Sequence, residues 1–484
     1  MSDDLAHLDA TAQAELVRTG KVTPAELVDA AIRRIERLNP ELNAVITPLF
    51  DAARAAAAGE LPDGPFRGVP TLLKDIGATS RGDRFCAGMG VLKERDWKAP
   101  IDTFYTEKLR AAGFVILGKT NTPELGILPT TEPRAFGPTR NPYDTGRSTG
   151  GSSGGAACAV ATGMVPVAHA NDGGGSIRIP ASCCGLVGLK PSRGRVSLGP
   201  SLGEINGGLV CEHVVARSVR DSAALLDVLA GPMPGDPYAA PTPAGPYKDE
   251  VGAPAGQLRV AMSWKYITPM GQKVDAHADC VAAVKQTAAL LEQLGHRVEE
   301  DRITALEDPQ YVPKFLAVWA AGVACDLDVW SLILGKPIVA EQVEPLTWGL
   351  AEMGRAINAP TYMAAWLWLE HNARKVARFF QKYDLLLTPT VSEPPPPLGT
   401  FDDKPGDPMG ALGPIFRSAT FAPFTPPFNV TGQPAISLPL YRNDAGLPIG
   451  VQLVASYGRE DLLLRVAAAL EVARPFSHID SAAS

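Results

Sequence analysis

The chain is short of the features that mark several large protein classes, and each shortage narrows what it can be. Its seven cysteines are an odd number, with Cys183 and Cys184 adjacent and no C-x-x-C pair. That pattern excludes a disulfide scaffold and gives no support to a zinc site, so a reducing compartment is expected. Positive charge is scarce as well: 45 Lys and Arg against 52 Asp and Glu leave a net −7, which supplies no basic field for nucleic acid. Long apolar runs are missing. The charge-free stretch 148–171, as long as any in the sequence, is broken by glycines, serines, Pro166 and His169 and falls short of a membrane span. The opening Met1-Ser2-Asp3-Asp4 is acidic where an export signal would be basic and then apolar, so the expected location is the cytoplasm, with no membrane partner.

What is present fits a globular α/β protein. With 484 residues, 45% apolar and 20% charged, the chain can bury a large core. Thr23-Pro24-Ala25-Glu26 has capping-box spacing with proline at the first helical position, and Leu27, Ala31, Ile35 and Leu38 recur at helical intervals, predicting a helix that ends near Asn39-Pro40. Strands are predicted at 69–76, 114–117, 164–168, 258–264, 297–300 and 383–388, with helices at 102–112, 153–162, 218–230 and 274–294 between them, and a strand and helix pair at the C-terminus. This alternation predicts one sheet that resumes after a Pro/Gly-rich connection at 231–256. Residues 305–380 read as mostly helical and hold five of the seven tryptophans, which suggests a substrate-shaping cap.

Three positions carry the chemistry. Lys74 ends the apolar run Thr71-Leu72-Leu73, Ser152 sits in Gly150-Gly151-Ser152-Ser153-Gly154-Gly155, and Ser176 sits in Asp172-Gly173-Gly174-Gly175-Ser176-Ile177-Arg178. A serine hydroxyl needs a base before it can attack, and a lysine serves only if its pKa is brought toward neutrality. Burial on a strand does that by disfavouring the ammonium form. Ser152 would then relay a proton between Lys74 and Ser176, in a loop whose glycines tolerate an unusual backbone state, even a cis peptide. The amides of Gly173, Gly174, Gly175 and Ser176 would face the anionic oxygen of a tetrahedral intermediate. No metal and no cofactor is needed for this.

The stretch from Gly118-Lys119-Thr120-Asn121 to Gly188-Leu189-Lys190-Pro191 resembles the signature region of the amidase signature family, and 176 − 152 = 24 is that family's spacing between its two serines. The likeness extends to Gly68-Val69-Pro70 and Lys74-Asp75, to Tyr383–Thr390 and to Phe428–Ala435, and so covers nearly the whole chain. It implies a single catalytic domain over 1–484, with a signature core at 68–191 and a helical cap at 305–380, built on a large mixed twisted sheet surrounded by helices. It also implies a Ser-cisSer-Lys triad that hydrolyses small-molecule amides through an acyl-enzyme: Ser176 the nucleophile, Ser152 the bridge, Lys74 the base. Ser153 would support the bridge by hydrogen bonding, and Asp172 and Arg178 would brace the loop. Within the family, 12–18, Pro166–Asp172 and Tyr457–Leu464 are most similar to the branch that opens 6-aminohexanoate cyclic dimers. A homodimer is the expected assembly. Met89, Ile127 and Trp319 are assigned to an apolar pocket wall.

Competing readings are weaker. Gly150-x-Ser152-x-Gly154 also fits a nucleophile elbow, but the turn-forming Asn141–Gly146 precedes it where that motif requires a strand. His169 is read as a hydrogen-bonded structural residue, since a lone histidine at a strand end usually is one. Cys158, Cys183 and Cys184 are read as buried packing residues. The alternative function is a glutamine amidase that serves as the catalytic component of a tRNA-dependent amidotransferase complex, which would need a partner protein.

Overall fold

The computed structural model describes residues 3–404 and 406–479. Eleven strands form one sheet: β1 (Val45–Pro48), β2 (Pro70–Lys74), β3 (Val115–Thr120), β4 (Val167–Asp172), β5 (Val187–Lys190), β6 (Cys211–Ala216), β7 (Arg259–Met262), β8 (Arg297–Glu300), β9 (Leu385–Pro389), β10 (Ala435–Arg442) and β11 (Pro448–Ala455). Their spatial order is β1-β3-β2-β4-β6-β5-β10-β11-β9-β7-β8. β2 runs parallel to β3 and β4, whereas β6, β5, β10 and β11 pair antiparallel. The sheet is therefore mixed, as the family resemblance implies. Every residue of β2, β3 and β4 is buried, because helices cover both faces of this part of the sheet; their sequences are accordingly continuous, not alternating.

Several boundaries differ from the sequence reading, each for a local reason. Helix α1 (Pro24–Leu42) runs through Pro40 and stops at Asn43, which takes the left-handed conformation at φ 52°. Asn39 ties that exit down: its Oδ1 accepts from the Ala44 and Val45 amides, and its Nδ2 donates to the Val45 carbonyl. The expected helix at 274–294 begins only at Ala278, because 273–275 pair with 265–267 as a small hairpin. β5 and β6 are absent from the sequence reading: β5 is four residues long, and β6 carries the charged Glu212 amid apolar neighbours. The C-terminus brings two paired strands before its helix, not one. β4 lies three residues later than expected, which places Asn171 and Asp172 on the strand itself.

Between β4 and the preceding loop lies α2 (Gly154–Ala161), all of it buried. A Cβ at Gly155 would come within 2.5 Å of the Asn121 amide, so the run of small residues is what lets this helix approach β3. After β4 comes the short α3 (Arg178–Cys183). Residues 305–380 do supply a helical layer: α4 (Tyr311–Leu334), α5 (Pro345–Arg355) and α6 (Ala359–Lys382). Among the described residues α4 alone is long and apolar enough to cross a bilayer, a property absent from the sequence reading. It packs along α5 and α6, and carries Asp326 and Asp328.

Candidate active site

Lys74 is the last residue of β2, and Asn171 and Asp172 end β4 beside it. The two strands are parallel, so both deliver side chains to the carboxyl edge of the sheet, where α/β proteins collect ligands. Ser152 lies in the loop before α2. A Cβ at Gly151 would overlap the Thr130 carbonyl, which explains a glycine there, and the Gly151–Ser152 peptide is cis. Lys74 Nζ lies 2.7 Å from Ser152 Oγ and 2.6 Å from Asn171 Oδ1. Burial pushes the Lys74 amine down to about 7, against the carboxylates of Glu212 and Asp172, which favour the charged form.

Ser176 stands in the turn between β4 and α3, and Asp172 organises that turn. Its carboxylate accepts from the Gly175 amide at 2.6 Å and the Ile177 amide at 3.2 Å, and from Arg178 Nε and Nη2, each at 2.9 Å. Arg178 continues to the Thr425 carbonyl, to Gln452 Oε1 and to Asn429 Oδ1, and Asn429 Nδ2 donates back to Asp172. Both charges are fully buried. Burial alone would raise the Asp172 pKa; the Arg178 guanidinium outweighs it and holds the carboxyl at about 2. Arg178→Leu is expected to cost about 3 to 5 kcal/mol of stability by leaving that carboxylate buried and unpaired. Urea unfolding monitored by circular dichroism checks it.

Three sequence assignments change. The Gly175 amide is committed to Asp172, so it is withdrawn from the oxyanion set; the amides of Gly173, Gly174 and Ser176 meet no protein acceptor among the described residues. Ser153 directs its hydroxyl to the Asn171 carbonyl at 3.3 Å, not to Ser152. Met89 is wholly buried in the apolar cluster that also holds Trp319 and does not reach the cavity surface. His169 accepts the Lys74 amide at Nδ1 and meets Glu212 at Nε2, so both ring nitrogens are taken by groups other than a serine. The sequence reading gives no site role to Asn171, Glu212, Asn429 or Gln452. A lone acid in the apolar run of β6 was the available sign for Glu212.

Ser176 and Gly174 open onto a cavity of about 240 Å³, walled by Ile127, Phe315, Trp319 and Phe428. Tyr311, Phe315 and Trp319 recur every fourth residue on α4 and stack in sequence, with ring centroids 6.5 and 5.6 Å apart. Of the charged groups that line the cavity, Arg302 pairs with Glu307 at 2.6 Å and Lys265 with Glu300 at 3.2 Å, while the Asp308 carboxylate accepts from the Gln310 amide at 3.0 Å. Among the described residues, no three His, Cys, Asp or Glu side chains gather as a metal site would.

The Amidase family profile matches residues 26–464. The chain belongs to the amidase signature family. This amidase is 45% identical over 473 residues to 6-aminohexanoate-cyclic-dimer hydrolase of Paenarthrobacter ureafaciens, covering 97% of this chain and 95% of that one. A solved structure of 6-aminohexanoate cyclic dimer hydrolase superposes with a TM-score of 0.93 at 44% identity, covering 98% of each chain. A glutamyl-tRNA(Gln) amidotransferase chain of Thermotoga maritima shares the fold less closely, with a TM-score of 0.78 at 26% identity over 98% of this chain and 96% of that one. The amidase is accordingly a hydrolase of carbon–nitrogen bonds, and the amidotransferase reading is not favoured.

Proposed function

We propose that this amidase hydrolyses small, neutral, methylene-rich amides, linear or cyclic, of the 6-aminohexanoate type, through an acyl-enzyme on Ser176. One observation carries the reading: a buried lysine amine, near neutrality in pKa, lies 2.7 Å from the hydroxyl of Ser152. The neutral amine takes the Ser152 proton as Ser152 takes that of Ser176, and Ser176 Oγ attacks the amide carbonyl. The amides of Gly173, Gly174 and Ser176 receive the oxyanion, each donor being worth about 2.7 to 4 kcal/mol at such sites. The proton returns through Ser152 to the departing nitrogen, the C–N bond breaks, and water repeats the sequence to release the acid.

The cavity supports the substrate class, because its walls are mainly aromatic and aliphatic and its two lining cations, Arg302 and Lys265, are taken up in ion pairs. The likeness to 6-aminohexanoate-cyclic-dimer hydrolase along nearly the full chain supports it as well. Purified protein, without partners, is to be assayed against the 6-aminohexanoate cyclic dimer, its linear oligomers, aryl anilides and glutamine. Turnover of the aminohexanoate amides with none of glutamine is the expected result; ammonia release from glutamine alone would reverse it. Trp319→Ala removes part of the wall and is expected to raise KM for these amides about tenfold, the equivalent of about 1.4 kcal/mol of lost contact. Steady-state kinetics on parent and variant check this.

A further inference from the structure

Behind Lys74 the hydrogen bonds close into a ring. The Lys74 amide donates to His169 Nδ1 at 3.1 Å, and His169 Nε2 meets Glu212 Oε2 at 2.5 Å. Glu212 Oε1 accepts from Asn171 Nδ2 at 3.3 Å, and Asn171 Oδ1 returns to Lys74 Nζ at 2.6 Å. The ring follows from register: Asn171 of β4 is the cross-strand partner of Glu212 of β6, and His169 lies two residues before Asn171, on the same face. Gly77 makes room for it, since a Cβ there would come within 2.5 Å of both Asn171 Nδ2 and Glu212 Oε1.

We propose that Glu212 is the positioning residue for the Lys74 base, and that its two oxygens fix which way the lysine lone pair points. An ionised carboxylate only accepts. One oxygen therefore requires the proton of His169 on Nε2, which leaves Nδ1 to hold the Lys74 amide. The other oxygen, together with the Ile76 carbonyl at 3.1 Å, takes the amide hydrogens of Asn171. With its NH2 group so held, Asn171 presents only oxygen to Lys74. A neutral amine has two hydrogens and one lone pair; one hydrogen goes to Asn171 Oδ1, and the lone pair is left for the Ser152 hydroxyl. Were Asn171 reversed, its NH2 would donate into that lone pair and occupy the base.

Glu212 also sets the working range. Its negative charge favours the ammonium form of Lys74, opposing burial. The other titratable or charged groups around the ring are His169 and Asp172 from β4, Tyr105 from the helix Phe104–Ala111, Lys119 from β3 and His213 from β6.

This inference rests on the lysine-base reading above, and the experiment separates the two. In Glu212→Gln the new side chain can accept at one end only, so either His169 or Asn171 loses its acceptor. The plateau of kcat/KM on an amide substrate is expected to fall about 10- to 100-fold, the scale seen when outer-shell partners that orient metal-ligating side chains are lost. The acid limb of the pH profile is expected to move down by about 1 unit or more, because a favourable negative charge has been removed from beside the lysine. A parental plateau, or a lowered plateau with an unmoved limb, overturns the proposal, since a merely structural defect lowers the active fraction without changing the midpoint. Should Glu212→Gln fail to fold by circular dichroism, Asn171→Ala leaves the carboxylate in place and removes the link to the amine together with the bonds to Glu212 and Ile76, and parental kcat there overturns the proposal equally. Lys74→Met run alongside marks the other failure: if it stays active, the lysine-base reading falls, whatever Glu212 does.

Discussion

Ser176→Ala is expected to abolish turnover, lowering kcat by about 10⁶-fold, the scale on which loss of a serine nucleophile acts elsewhere. The substitution takes away one oxygen and little else. Ser176 lines the cavity, and its turn is held from below by Asp172 through the Gly175 and Ile177 amides and the Arg178 guanidinium, none of which involves the serine side chain. The variant should therefore fold, melt like the parent and still bind substrate. Intact-protein mass spectrometry after mixing with a slow amide or ester substrate gives the second readout: an acyl adduct on the parent, none on the variant. Turnover within tenfold of the parent would remove Ser176 from the mechanism.

Lys74→Met is expected to lower kcat about 10⁴-fold at pH 7, the upper range for loss of a general base, with partial recovery at high pH where hydroxide substitutes. The parent's acid limb is expected near the pKa of about 7 that burial gives this amine, since only the deprotonated form accepts a proton. The same shift has a stability consequence of opposite sense. An unfolded lysine holds its proton up to about pH 10.4, whereas the folded one releases it near 7, so folding must bury an ammonium below pH 7 and strip its proton between those values, at a penalty either way. Between those values the unfolded state binds more protons, and this group makes stability rise with pH. The penalty is full below about 7 and fades toward 10.4. Methionine has no such linkage, so the inactive variant is expected to melt higher than the parent, with the larger gain at pH 6 and a smaller one at pH 9.5. Thermal melts at both pH values check this, and a gain that grows with pH contradicts a depressed lysine.

How much of this was legible in the sequence depended on reach along the chain. Lys74, Ser152 and Ser176 stand in local patterns of glycine and apolar residues, and the alternation of helix and strand was legible because each element announces itself over ten residues or so. Glu212 could not be read the same way: its meaning comes from lying across a strand pair from Asn171, 41 positions away. Asn429 and Gln452 were hidden by still longer separations. Met89 failed for the converse reason, since an apolar residue near a site in sequence carries no sign of whether it faces the cavity or the core behind it. The misassigned Gly175 amide shows the limit of counting glycines: one of the three spends its donor on building the turn that the others use.

The Asp172–Arg178 pair is completed by Thr425, Asn429 and Gln452, about 250 to 275 positions beyond Arg178. A polypeptide cut short after residue 400 would thus possess all three reactive side chains and the loop that bears Ser176, yet leave that guanidinium with most of its acceptors missing. Amide cleavage is therefore expected only from molecules in which these distant segments are joined to the turn that bears Ser176.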